Sequence, residues 1–216
     1  AGNIATAVTR KVTVGDTTVP VITLTGDASV NHEQATAYTD EGATVTDTVD
    51  TSVEVVTAGA VDIATAGTYT LTYSATDSAG NEATTVTRAV TVADTIAPVI
   101  VLNGVANISH EQGMDYTDAG AVASDVADGT VMVVTTGTVN TATAGTYTLT
   151  YNASDSAGNA AIAVTRTVTV SDTTAPVISS SATFSAAENQ TAIGTVTATD
   201  TASSDITFTI SGSELT

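Results

Sequence analysis

A chain of 216 residues that is 42% apolar has enough material for a folded core, but only 4% of it is aromatic and it has no Trp, so Thr and Val must do most of the packing. It also has no Cys, which excludes disulfide staples, thiolate catalysis and cysteine zinc sites. Twenty-three acidic residues against four basic ones leave a net charge of −19, which disfavours nucleic acid and anionic membranes as partners, and no apolar run has the length that spans a bilayer.

Residues 1–15 match residues 79–93, so they read as the last strand of a preceding unit and the chain reads as an excerpt from a longer array. Asp16-Thr17-Thr18-Val19-Pro20-Val21-Ile22 then opens a unit that begins again at Asp94-Thr95-Ile96-Ala97-Pro98-Val99-Ile100 and at Asp172-Thr173-Thr174-Ala175-Pro176-Val177-Ile178. Gly2, Gly80 and Gly158, like Arg10, Arg88 and Arg166, keep the same interval of 78 residues. The expected units are therefore 16–93 and 94–171, followed by a different segment, 172–216. Arrays of this kind are selected for length, spacing or multivalency, because each unit contacts mainly its neighbours, so catalysis is disfavoured.

Within a unit, strands are expected at 21–24, 43–46 and 53–56. The stretch Thr68-Tyr69-Thr70-Leu71-Thr72-Tyr73-Ser74-Ala75 alternates with period two, putting Tyr69, Leu71, Tyr73 and Ala75 on one face. Tyr147, Leu149, Tyr151 and Ala153 keep that phase in the second copy. The turn Asp77-Ser78-Ala79-Gly80-Asn81 then leads to a strand through Val86, Val90 and Val92. No helical period occurs anywhere, and short strands at this spacing argue for a β-sandwich. Arg88 and Arg166 fall in the buried phase of their strands, so each requires either a carboxylate partner at the rim or a bulge that turns it outward.

The repeated junction, the Tyr-Thr-Asp-Glu-Gly-Ala-Thr-Val-Thr-Asp stretch at 38–47, Ala66-Gly67-Thr68-Tyr69 and Asp77-Ser78-Ala79-Gly80-Asn81 together resemble the bacterial immunoglobulin-like and HYR-like repeats of large surface adhesins. The resemblance runs from residue 1 to about 178. It implies an all-β chain of tandem immunoglobulin-like β-sandwiches arranged end to end. It also implies an extracellular, non-catalytic stalk on the bacterial cell surface, exported by type I secretion and involved in attachment or biofilm. From Phe184 the chain is similar to the opening of a cadherin-like domain, through Ala187-Glu188-Asn189-Gln190, Gly194-Thr195-Val196 and Ala198-Thr199-Asp200. That similarity implies Ca2+ ligands at Glu188 and Asp200, although Thr201 and Ala202 stand where a second acid is usual.

Metal ligands in the repeats follow from topology. In an immunoglobulin-like sandwich the first strand starts at the end that carries two of the loops, so the incoming chain lies beside both. This groups Asp16, Asp47, Asp50, Asp77 and Asn81, and one period later Asp94, Asp125, Asp128, Asp155 and Asn159, with Asp172 in the next position. Converging carboxylate and carbonyl oxygens suit Ca2+, which takes six to eight oxygen ligands. The competing reading is that these residues cap turns and that the charge serves solubility. The first repeat holds eleven acids and one Arg, the second seven and one, the last 45 residues five and none.

His32-Glu33-Gln34 and His110-Glu111-Gln112 recur without a second His, Cys or nucleophile, and read as structural. No Gly-x-Ser-x-Gly elbow or phosphate loop is present. Three functions remain in play. The chain can be an extender that holds a distal binding domain away from the cell, with junctions stiffened by calcium and neighbouring repeats as partners. It can be an adhesive module that takes a glycan or protein ligand directly. It can be the subunit of a filament in which other copies supply strands.

Overall fold

The computed structural model describes residues 1–185, 187, 189–190, 194–203 and 205–209. It divides into two compact units, Ala1–Ile96 and Ala97–Thr216, and no helix occurs among the described residues. Residues 1–20 form no strand in unit 1, and Ile4, Val8, Val12 and Val14 are exposed there.

In unit 1, β1 (Val21–Leu24) pairs antiparallel with β3 (Ala43–Thr46). Facing this ladder is a four-stranded sheet in the order β2 (Ser29–Glu33), β6 (Val86–Ala93), β5 (Gly67–Ser74), β4 (Val56–Ala58). The β5–β6 pair is an antiparallel hairpin, while β2 runs parallel to β6. Ile22, Leu71, Tyr73, Ala75 and Ala83 form the buried cluster. The alternating phase of β5 is thus the core face, as the period-two reading requires.

From Val99 to Ser171 unit 2 repeats the plan with one strand more. Its sheets are β7 (Val99–Leu102), β9 (Ala121–Asp125) and β10 (Gly129–Val131), and β8 (Asn107–Glu111), β13 (Val164–Ser171), β12 (Gly145–Ala153) and β11 (Val133–Thr136). The described part of the tail contributes β14 (Val177–Ile178) and β15 (Ala198–Thr199), paired antiparallel.

The strand expected at 53–56 is displaced: only Val56 belongs to the ladder, which runs on to Ala58. The Asp50 carboxylate accepts the Ser52 N–H and hydroxyl at 2.9 and 2.6 Å, folding 50–52 into a turn, and Val53 and Val55 pack on the core without pairing. In unit 2 Gly129 holds φ +71° where unit 1 has Thr51, and this opens the tight turn from β9 into β10.

Arg88 and Arg166 are 1% and 0% exposed and are paired, so the carboxylate alternative holds. Arg88 Nη1 donates to Asp40 and to the Tyr73 hydroxyl, and its Nε donates to the Asp27 carbonyl at 2.9 Å. Tyr73 in turn donates to Asp40 at 2.8 Å. Arg166, Asp118 and Tyr151 reproduce the arrangement. In each sandwich a buried cation on β6 or β13 is thereby tied to the segments that flank the strands of the smaller sheet.

Candidate metal centre

At the edge of unit 1 where the chain enters β1, one carboxylate oxygen each from Asp16, Asp47 and Asp77 lie within 4.8 Å of one another. Asp16 precedes β1, Asp47 follows β3, and Asp77 opens the turn between β5 and β6, so three separated segments meet as the topology requires. Each acid is held by main-chain donors. Asp16 Oδ1 accepts the Thr18 N–H at 2.9 Å. Asp47 Oδ1 accepts those of Val49 and Asp50, both at 2.8 Å. Asp77 Oδ1 accepts those of Ala79 and Asn81 at 3.0 and 2.7 Å.

The Asp47 Oδ2 atom is buried and has no hydrogen-bond partner in the protein. A buried carboxylate oxygen close to two other carboxylates is costly unless a cation or proton meets it. The donor set is oxygen only, which suits a hard cation. Asp77 itself is 6% exposed. Burial works to raise its pKa but is outweighed by the Asn81 side chain and three main-chain N–H groups, so it lies below the ordinary value.

Two members of the expected set do other work. The Asp50 carboxylate reaches across to the Ser78 N–H at 3.0 Å and ties the two loops together. Asn81 presents its Nδ2, donating to Asp77 Oδ2 at 2.8 Å and to the Asp16 carbonyl at 3.3 Å, so it braces the acids from outside.

Unit 2 carries the same loop chemistry. Asp125 Oδ1 accepts the Ala127 and Asp128 N–H groups at 2.7 and 3.2 Å, and its Oδ2 is buried without a hydrogen-bond partner. Asp128 takes the Ser156 N–H and hydroxyl at 2.6 and 2.8 Å, as Asp50 takes Ser78. Asp155 accepts the Asn159 N–H and Nδ2 at 2.7 and 2.9 Å. Asp94 directly follows β6, and Asp172 directly follows β13.

Asp200 follows β15 as Asp47 follows β3, and its Oδ1 accepts the Ala202 and Ser203 N–H groups at 2.8 and 3.1 Å, the pattern of Asp47 and Asp125. Glu188 lies outside the described residues. His32 and His110 take no part: each Nε2 bonds a carbonyl four residues on, in Thr36 and Met114 at 3.0 and 3.1 Å, and each ring stands edge-on to Tyr38 or Tyr116.

Sequence reasoning required a partner for each buried Arg but did not name Asp40 or Asp118. The signal was present in the recurring Tyr38-Thr39-Asp40 and Tyr116-Thr117-Asp118, each Asp standing 48 residues before its Arg.

Comparison with known proteins gives a family and several structural likenesses. A lipoprotein of Bacteroides thetaiotaomicron is 29% identical over 47% of this chain, with a TM-score of 0.33, and the chain spans about half of it, 51%. Fibronectin(III)-like modules of Clostridium thermocellum CbhA are 17% identical, covering 70% of this chain and 94% of theirs, at a TM-score of 0.32. Human protocadherin-24 EC1-2 is 16% identical, covering 72% and 98%, at 0.33. No curated protein matches the chain. Residues 22–92 and 100–170 each match the Ig-like domain of bacterial surface proteins, which are the two sandwiches described above. With two copies that together fill more than half of its length, the chain belongs to the bacterial surface protein Ig-like domain family.

Proposed function

We propose that this chain is a non-catalytic extender segment of a bacterial surface adhesin, and that Ca2+ bound where the chain enters each repeat stiffens it. The observation that carries the reading is the convergence of Asp16, Asp47 and Asp77 with a buried, unpartnered oxygen on Asp47. A cation there would bond the entering strand to both loops at once, so the repeat would resist bending at its point of attachment. The 78-residue period repeats Asp47 and Asp77 as Asp125 and Asp155 within the second unit. A spacer role is supported by the tyrosines, which would be the platforms of a glycan-binding face: all six are buried or half-buried.

Differential scanning calorimetry in chelator and in millimolar CaCl2 at matched ionic strength tests this. Saturating Ca2+ is expected to raise the melting temperature on the order of 10 °C for a domain of this size. Asp47→Asn keeps the acceptor that the 47–50 turn needs but weakens the cation site, so it should remove the first repeat's share of the shift. A transition that Ca2+ does not move would overturn the reading.

A further inference from the structure

His32-Glu33-Gln34 and its counterpart at 110–112 take no part in the metal cluster, yet they do the same thing in both units. Glu33 ends β2 opposite Ala93, the last residue of β6, and the Gln34 N–H closes this ladder on the Ala93 carbonyl at 3.0 Å. Gln34 Nε2 then donates to the Ala64 carbonyl at 2.8 Å, fixing the loop on the far side. Between these ties the Glu33 carboxylate reaches forward to the departing chain. Its Oε1 accepts the Thr95 N–H at 3.0 Å and its Oε2 the Thr95 hydroxyl at 2.5 Å.

In unit 2 the Gln112 N–H bonds the Ser171 carbonyl at 3.1 Å and Gln112 Nε2 the Ala142 carbonyl at 3.0 Å. Glu111 accepts the Thr173 N–H at 3.1 Å, the Thr174 N–H at 3.3 Å and the Thr173 hydroxyl. The separation of 62 residues between Glu and Thr is the same in both.

We propose that Glu33 and Glu111 are positioning residues that clasp the main chain where it leaves each repeat and so set the acid that precedes the clasped threonine, Asp94 or Asp172. Both acids are the 78-residue counterparts of Asp16, so the clasp would pre-order a carboxylate for Ca2+. That second half rests on the calcium reading above; the clasp itself does not. Both oxygens of each carboxylate are engaged by the N–H and hydroxyl of one threonine, and at Glu111 by the Thr174 N–H as well, a charge-assisted geometry that orders the peptide and not merely the side chain. Each Glu ends the strand that runs parallel to β6 or β13, opposite the last residue of that strand. Supporting groups that orient a metal ligand typically change affinity by about 10- to 100-fold when removed.

The test is amide hydrogen exchange on the whole chain, read at Thr95 and Thr173, together with a Ca2+ titration by calorimetry. Glu33→Ala is expected to speed Thr95 exchange about tenfold or more while leaving Thr173 unchanged, and Glu111→Ala to do the reverse. Glu33→Gln, which keeps one acceptor, should fall between and guards against a folding defect. Unchanged exchange at Thr95 in both Glu33 variants would overturn the clasp. Ca2+ affinity of one site should fall about tenfold in Glu33→Ala; faster exchange with unaltered affinity would overturn the positioning role. If the unmodified chain takes up no Ca2+, the calcium reading fails and takes the positioning role with it, while exchange alone still decides the clasp.

Discussion

Arg166 and Asp118 are unequally buried, and the difference decides what each substitution costs. Arg166 is fully enclosed, whereas the Asp118 side chain is 24% exposed. Removing the acid leaves an enclosed cation without its countercharge; removing the cation leaves an acid that can turn toward solvent. Asp118→Ala is therefore expected to cost about 3–5 kcal/mol, the usual range for breaking a buried pair from one side. Arg166→Met should cost roughly half as much, because a methionine of similar reach refills the core and Asp118 rehydrates. Urea unfolding monitored by tyrosine fluorescence measures both, and equal losses would show that the carbonyl bonds of Arg166 to Asn103, Val105 and Gly120, not the charge pair, dominate. Tyr151 belongs to the same unit: burial, followed by its hydrogen bond to Asp118, pushes its pKa up to about 12, so it stays a donor at any physiological pH.

Among the strands, the outer edges β4 and β11 show how narrowly the ladders are specified. Gly59 and Gly137 each leave their edge strand at φ +99° and +94°, and a Cβ on either would collide with the carbonyl of Thr70 or Thr148 on the neighbouring strand. Gly137→Ala is expected to destabilise unit 2 by more than about 1 kcal/mol, since both the backbone angle and the close approach forbid a side chain. Loss of the edge-strand amides in hydrogen exchange would report it, and an unaffected ladder would refute it. The long strands were legible in the sequence because their alternation is clean: Leu71, Tyr73 and Ala75 are all in the core. β2 and β8 were not, because Ser-Val-Asn-His-Glu offers one apolar residue and pairs in parallel with residues sixty positions away. The displaced strand at 53–56 has a similar origin, since Val53 and Val55 satisfy the core without needing a ladder. At the candidate site, the meeting of Asp16, Asp47 and Asp77 could be read from which loops share an end of the sandwich. The diversion of Asp50 to Ser78 could not, because a periodic pattern does not say which way a loop carboxylate turns.

Across the whole molecule the balance of charge sets how stability responds to pH and salt. Residues 16–171 contain two basic side chains, Arg88 and Arg166, and both are buried against acids, so the acidic surface of the repeats has no basic neighbour to neutralise it. Several carboxyls nevertheless lie below their ordinary values. Hydrogen bonds from Thr95 and Thr173 hold down Glu33 and Glu111. At Asp77, Asp118 and Asp155 burial pushes upward but is outweighed by hydrogen bonds from Asn81, from Tyr151 and Arg166, and from Asn159. A group whose folded pKa is depressed contributes stability above its unfolded value and loses it as pH falls through the folded one. The melting temperature is therefore expected to be nearly flat from pH 8 to 5 and to fall below about pH 4, where these carboxyls protonate. Self-repulsion acts in the opposite sense, since protonation and salt both relieve it, so raising NaCl in chelator at pH 7 should stabilise the chain modestly. Ca2+ bound at Asp16, Asp47 and Asp77 as proposed would compete with protons for the same oxygens, so curves recorded with and without it should separate at neutral pH and converge below about pH 4. If NaCl at equal ionic strength reproduces the whole Ca2+ increment at pH 7, screening accounts for it, and the acids at the repeat entry carry no bound ion.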